Sequence, residues 1–147
     1  MEQPRRFVLK HLGELLFERG VITKEQLEDA LKYQKESGGL LGSILVAKGY
    51  SSEDSIAQAL TTQYGFPYLP LANYEIDESV TKLIPAYVAK QYCLMPIDRI
   101  AAALTITMAD PLNVEAIEDV EFISKLKVQV FISTASEIKE AIDKYYG

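Results

Sequence analysis

The segment from His11 to Gln34 recurs, shifted by 29 positions, as Leu40 to Gln63. A duplication of this size restricts the fold to arrangements in which two equivalent units pack on one another, because neither can bury its apolar face alone. Seven pairs are identical: Leu12/Leu41, Gly13/Gly42, Leu16/Leu45, Gly20/Gly49, Ala30/Ala59, Leu31/Leu60 and Gln34/Gln63. Leu15/Ile44, Arg19/Lys48, Thr23/Ser52, Glu25/Asp54 and Leu27/Ile56 keep their chemistry. Each copy reads as a short helix, a glycine stop, a capping hydroxyl and a second helix. In the first, Pro4 opens the first helical turn, and Val8, Leu12, Leu15 and Leu16 share a face at the i, i+4, i+7, i+8 spacing. Thr23 with Gln26 forms a capping-box pattern ahead of Leu27, Ala30 and Leu31. The second follows with Leu41, Ile44 and Leu45, a stop at Gly49, a cap at Ser51 or Ser52, then Ile56, Ala59 and Leu60. Two helical hairpins joined through residues 35–39 are expected to form a pseudo-symmetric four-helix unit.

The second half has a different period. Residues 66–74 carry two prolines and no helical periodicity, which predicts an extended connector. Short helices are expected over 77–83 and 86–92, strands over 94–97, 103–108 and 128–132, and helices from 114 to 123 and from Thr134 onward. The inner faces are assigned to Ala116, Ile117, Val120 and Ile123, and to Ile138, Ala141, Ile142 and Tyr145. The fold class is therefore α+β: two duplicated helical hairpins, then a small ββαβα subdomain with helices packed on a sheet. The boundaries are 1–64, an extended connector at 65–76, and 77–147.

At 147 residues with 48% apolar content, the chain is long enough for one compact domain or two small subdomains. No apolar run nears the roughly 20 residues that span a bilayer, and residues 1–6 are not followed by a signal-type apolar core with a small-residue cleavage site. A cytoplasmic location without membrane insertion is expected. A net charge of −6 disfavours nucleic acid, which needs a basic face. Residues 1–64 carry 8 basic and 9 acidic side chains and residues 65–147 carry 7 and 12, so an anion site belongs in the first half.

Chemistry-bearing patterns are sparse. No Gly-Lys-Ser/Thr phosphate loop occurs, and the Gly38–Ser43 stretch reads as an interhelical loop. His11 and Cys93 are the only residues of their kinds, too few for a zinc set or a disulfide. Neither has a catalytic partner near it in sequence. Glu115, Glu118, Asp119 and Glu121 read as a solvated helix face, with a partner surface as the alternative. The chain is not expected to be an enzyme or to require a metal or cofactor.

Two repeated features invite a functional reading. Gln34 and Gln63 continue apolar helical faces, where an amide needs a hydrogen-bond partner. Each either caps a neighbouring backbone group at its helix end or points into a shared concave site. Gly13 and Gly42 weaken their helices, so something approaches the backbone closely there. That is either a packed helix or a flat or phosphorylated ligand at exposed helix N-termini.

The repeated Leu-Gly-x-x-Leu/Ile-Leu-x-x-x-Gly followed by Leu/Ile-x-x-x-Leu-x-x-Gln resembles the N-terminal domain of type II secretion and type IV pilus assembly ATPases, including its MshEN-type branch. Residues 83–90, Met95-Pro96, and 108 onward to Tyr145 resemble the rest of that domain. The resemblance implies a non-catalytic docking and regulatory module that couples a hexameric ATPase to the cytoplasmic domain of an inner-membrane platform, peripheral to that membrane through its partners. It also implies an alternative, a cyclic di-GMP sensor. The positions matching the ligand motif are Leu12, Gly13, Leu16, Gly20, Leu27, Leu31 and Gln34, with Leu41, Gly42, Leu45, Gly49, Ile56, Leu60 and Gln63. Where the motif opens each copy with arginine, this chain has His11 and Leu40; an arginine offers a planar charged fork that neither replaces. A stand-alone adaptor of the same fold is the third reading.

Overall fold

The computed structural model describes residues 11–147, so the expected roles of Pro4 and Val8 lie outside the described residues. Four helices come first: α1 (Leu12–Glu18), α2 (Lys24–Ser37), α3 (Leu41–Ala47) and α4 (Glu53–Tyr64). The two copies end their short helices identically. Gly20 and Gly49 take φ of 74° and 75°, and the amides of Val21 and Tyr50 reach back to the carbonyls of Leu16 and Leu45 at 2.9 Å. This is the paired-bond helix stop that an L-residue enters only at a cost. Both long helices start on capping hydroxyls. Thr23 accepts from the Gln26 amide, with the Gln26 side chain closing the box, while Ser52 accepts from the Ser55 amide.

The rest is α5 (Glu78–Thr81), α6 (Ala86–Tyr92), β1 (Leu94–Ile100), β2 (Ala103–Met108), α7 (Val114–Ser124), β3 (Lys127–Ile132) and α8 (Ala135–Tyr146). The three strands form one sheet in the order β1-β2-β3. β1 and β2 are antiparallel, with Leu94 opposite Met108 and a register shift between Pro96 and Asp98; β2 and β3 are parallel, with Met108 opposite Ile132. The capping box at the start of α8, Thr134 with Glu137, is present. Leu104, Ile106 and Met108 are buried as the alternation requires.

Four expectations need correction. The first helix, expected to run from Pro4 to Leu16 without a break, begins at Leu12, because His11 is extended and stands as its N-cap. The helix expected over 77–83 is the single turn of α5, because a cap at Asp77 and Pro85 downstream leave little room for more. Ile123, assigned inward, is 37% exposed, since the inner stripe of α7 closes with Ala116, Ile117 and Val120. The connector also pairs with the sheet. Tyr68 forms a parallel bridge with Ile132, through bonds of 2.8 Å from the Leu69 amide and 2.9 Å to the Pro67 carbonyl. Buried hydroxyls secure it: Thr107 bonds Ser133 at 2.6 Å, and Ser133 donates to the Leu69 carbonyl at 2.8 Å.

Buried side chains from the four helices and from the sheet form one continuous core that includes Leu16, Leu45, Leu60, Leu94, Ile106 and Ile138. No described helix is long and apolar enough to cross a membrane.

Candidate functional site

The repeats bind to each other reciprocally. At the end of α1, Arg19 donates to Gln63 on α4 at 3.3 Å; at the end of α3, its counterpart Lys48 pairs with Asp29 on α2 at 3.1 Å. Tyr50 also donates to Asp29 at 2.6 Å, and Lys48 lies 4.9 Å from the centre of the Tyr33 ring. The Tyr50 and Lys48 contacts hold the Asp29 carboxyl below its usual range. The short helix of each copy is thus tied to the long helix of the other, as an approximate twofold requires.

The symmetry ends at the glycines. A Cβ on Gly13 would stand 2.6 Å from Leu27 Cδ1 and 2.9 Å from Leu41 Cδ2, whereas one on Gly42 would meet Leu12 Cδ2 at 3.5 Å and Ile56 Cδ1 at 3.8 Å. Leucine at 27 fills the space over Gly13. Isoleucine at the matching position 56 leaves room over Gly42, and there a cavity of about 220 Å³ opens.

Its floor is Leu12, Leu40, Gly42, Val46 and Ile56; its other wall is built from Asp110 after β2, residues 132–134 at the end of β3, and the first turn of α8. Glu53 at the start of α4 bridges the two walls, accepting from the Ser136 amide at 2.9 Å and from the Ser136 hydroxyl at 2.8 Å. Burial raises the Asp110 carboxyl to about 6, against the opposing pull of its hydrogen bond from the Leu112 amide and of nearby His11. A more open hollow of about 430 Å³ shares Leu40, Ser43 and Lys139 with the cavity and adds Lys90. An apolar slot, the Asp110 carboxylate able to accept from ring N–H groups beside a Glu53 carboxylate already engaged by Ser136, and Lys139 and Lys90 together suit a flat, polar-edged, anionic ligand.

Of the residues singled out in the sequence, Leu12, Leu40, Gly42 and Ile56 line this cavity. Leu16, Leu45 and Leu60 lie fully buried in the core. Gly13 is covered by Leu27 and Leu41, and Gly20 and Gly49 serve as helix stops. Leu31 is 45% exposed, and His11 is exposed. Gln34 donates to the Gly39 carbonyl at 3.0 Å, and Gln63 accepts from Arg19; each amide is spent at the surface rather than on a common pocket. Cys93 is buried, and desolvation pushes its thiol up to about 11, which leaves it unreactive. Sequence reasoning missed Asp110, Glu53, Ser136 and Lys139. The position of Asp110 just past the carboxyl end of a strand was the available signal, since ligands of open α/β sheets collect there. No group of three or more His, Cys, Asp or Glu that could hold a metal occurs among the described residues.

A family model for the MshEN domain matches residues 64–147. The chain belongs to the MshEN domain family. It is 32% identical over 136 residues to the type IV pilus assembly ATPase PilB of Myxococcus xanthus, covering 92% of this chain and 24% of that protein. It is 27% identical to the type II secretion system protein E of Xanthomonas campestris, covering 100% of this chain and 26% of that protein. Among solved structures, the N-terminal domain of XpsE matches over 100% of both chains at a TM-score of 0.74 and 26% identity. A structure of MshE with cdg, cyclic di-GMP, matches over 94% of this chain and 100% of that one at 0.68 and 30%. The chain thus spans about a quarter of the length of the PilB and type II secretion relatives, and the part of XpsE that it matches is the N-terminal domain.

Proposed function

We propose that this MshEN domain is a docking and regulatory module of a type II secretion or type IV pilus assembly ATPase, located in the cytoplasm and coupling the motor to the cytoplasmic domain of an inner-membrane platform protein. In this reading, residues 1–64 form the tandem hairpin unit, 65–76 the connector and 77–147 the α/β subdomain. The observation that carries it is the end-to-end match to the XpsE N-terminal domain. In support, the chemistry of the described residues is that of contact rather than turnover: its single histidine is exposed and its single cysteine is sealed. Calorimetric titration of the chain with the platform's cytoplasmic domain is expected to give saturable heat. No heat at about 100-fold excess over a micromolar chain overturns the reading.

The open space over Gly42 favours a second function at the same module, cyclic di-GMP sensing. The cavity joins both halves of the chain, so a ligand filling it would bias how the helices sit on the sheet, a route to regulating the motor. A base edge would meet Asp110, and Lys139 and Lys90 would supply the positive charge that His11 and Leu40 do not. Because Leu27 closes the matching space over Gly13, only the second copy offers depth. Titration with cyclic di-GMP is expected to saturate in the micromolar range and to weaken at least tenfold in Gly42→Val. Equal binding by that variant rules out this cavity as the site.

A further inference from the structure

One helix carries a surface that the core does not use. The outer side of α7 presents Glu115, Glu118 and Phe122 at i, i+3 and i+7, one line along the helix. Phe122 is 84% exposed, far more than a ring of this size usually is in a folded domain. Asp119 and Glu121 flank the line and are fixed in place: Tyr92 donates its hydroxyl to Asp119, and Glu121 accepts from the Val128 amide at 3.1 Å. The helix holds four acidic residues and no basic one. Further apolar side chains are exposed toward the end of the sheet that follows α7. Ile123 is 37% and Ile100 is 70% exposed, and the hairpin tip carrying Ile100 is held at that end of the sheet by the Lys127 amide, which bonds the Ala102 carbonyl at 3.0 Å. Lys125 and Lys127 follow, both exposed.

We infer that this face of α7, centred on Phe122, is the surface on which a basic segment of the partner protein docks. An anchoring ring with acidic residues along one side complements a segment that offers an apolar side chain with Lys or Arg about one helical turn away. Charge also sets the direction. The partner's basic residues lie over Glu115 and Glu118, and its neutral or acidic end lies toward Lys125 and Lys127, because the reverse placement brings like charges together. The inference rests on the docking reading and locates it on the sheet side of the molecule, away from the helical repeats.

The test uses the full chain and the purified cytoplasmic domain of the platform protein, titrated at low and high ionic strength. Phe122→Ala and the double variant Glu115→Lys/Glu118→Lys are each expected to weaken binding at least tenfold, with the double variant also losing most of the salt dependence. Leu31→Ala, a change at an exposed leucine on α2, is expected to stay within twofold of the parent. All the substituted side chains are exposed, and circular dichroism of each variant checks that it folds. Binding by both α7 variants within twofold of a parent that itself binds overturns this surface and leaves docking standing. Absence of binding by the parent overturns both. Loss of binding in Leu31→Ala alone moves the interface to the repeats and overturns the assignment to α7.

Discussion

The two repeat copies share their helix stops, their caps and their contacts with one another, yet they end in different surroundings. Leu60 in the second copy is 0% exposed and its counterpart Leu31 is 45% exposed. Val46 lines the cavity beneath the sheet ends, while its counterpart Phe17 is 42% exposed. Leu16 and Leu45 are buried alike. Duplication therefore fixes the shared interior. What each copy does is decided by what packs on its outer side, and only the second is covered by the end of the sheet and α8. A cavity arises there because the outer side of the second copy forms one wall of a cleft.

The sharpest break in this comparison comes from truncating the two equivalent leucines. Leu60→Ala removes a fully enclosed side chain and is expected to cost about 3 kcal/mol. Leu31→Ala, at a surface position, is expected to cost less than about 1 kcal/mol. Urea denaturation of both variants measures the difference. Equal losses would mean that both outer faces are covered and that the asymmetry is false.

The next effect concerns the side of the cleft that the repeat does not supply. The Asp110 carboxyl titrates at about 6 in the folded chain against 3.8 for the free group. Between those values the folded state holds the proton more tightly, so this group's contribution is fully present below about 4 and is lost as pH rises through 6. Asp110→Asn keeps an acceptor for the Leu112 amide and carries no charge to bury. It is expected to gain about 1 to 2 kcal/mol over the parent at pH 7.5, allowing for partial solvent access, and to match it near pH 4. A variant that is less stable at pH 7.5 would show that the ionised form is held favourably.

What could be read from the sequence divides along the same line. Local signals sufficed for much of the repeat: glycines at 20 and 49, the hydroxyl at 23 and the aliphatic spacing between them specified four helices, but not the start of α1, where His11 is extended and caps a helix that begins at Leu12, nor which of Ser51 and Ser52 caps α4. The strands followed from alternation, as at Leu104, Ile106 and Met108. The cavity was only half legible. Leu12, Gly42 and Ile56 belong to the motif, but Asp110, Ser136 and Lys139 lie 54 or more positions from Ile56, and no local pattern tells which of two identical glycines keeps open space. That depends on one branching difference, Leu27 against Ile56, and on where the sheet closes over the helices.

The glycines sharpen the point with changes of opposite sign. Gly42→Ala places a methyl at ordinary contact distance and gains helix propensity, so it is expected to stabilise by up to about 0.5 to 1 kcal/mol while narrowing the cavity. Gly13→Ala gains the same propensity but pushes two leucine methyls that stand under 3 Å away, for a net loss of about 1 kcal/mol. Thermal unfolding reads both. Stabilisation by both substitutions would mean that Leu27 and Leu41 yield freely and that Gly13 is as open as Gly42.

The smallest expected difference tests what holds the second copy against the sheet. Glu53 accepts two hydrogen bonds from Ser136 in the first turn of α8, whereas Lys24 occupies the matching place in the first copy. Glu53→Ala removes both bonds and a negative charge near a helix N-terminus, a loss of about 1 kcal/mol at an exposed site. Lys24→Ala is expected to lie within about 0.5 kcal/mol of the parent. Because the Glu53 contact closes one side of the cleft, hydrogen exchange at the start of α8 should rise in Glu53→Ala and stay unchanged in Lys24→Ala. If exchange there does not respond to Glu53, the packing of Ile56, Ala57 and Val46 alone keeps the copy in place, and the carboxylate is free to change partner when the cavity fills.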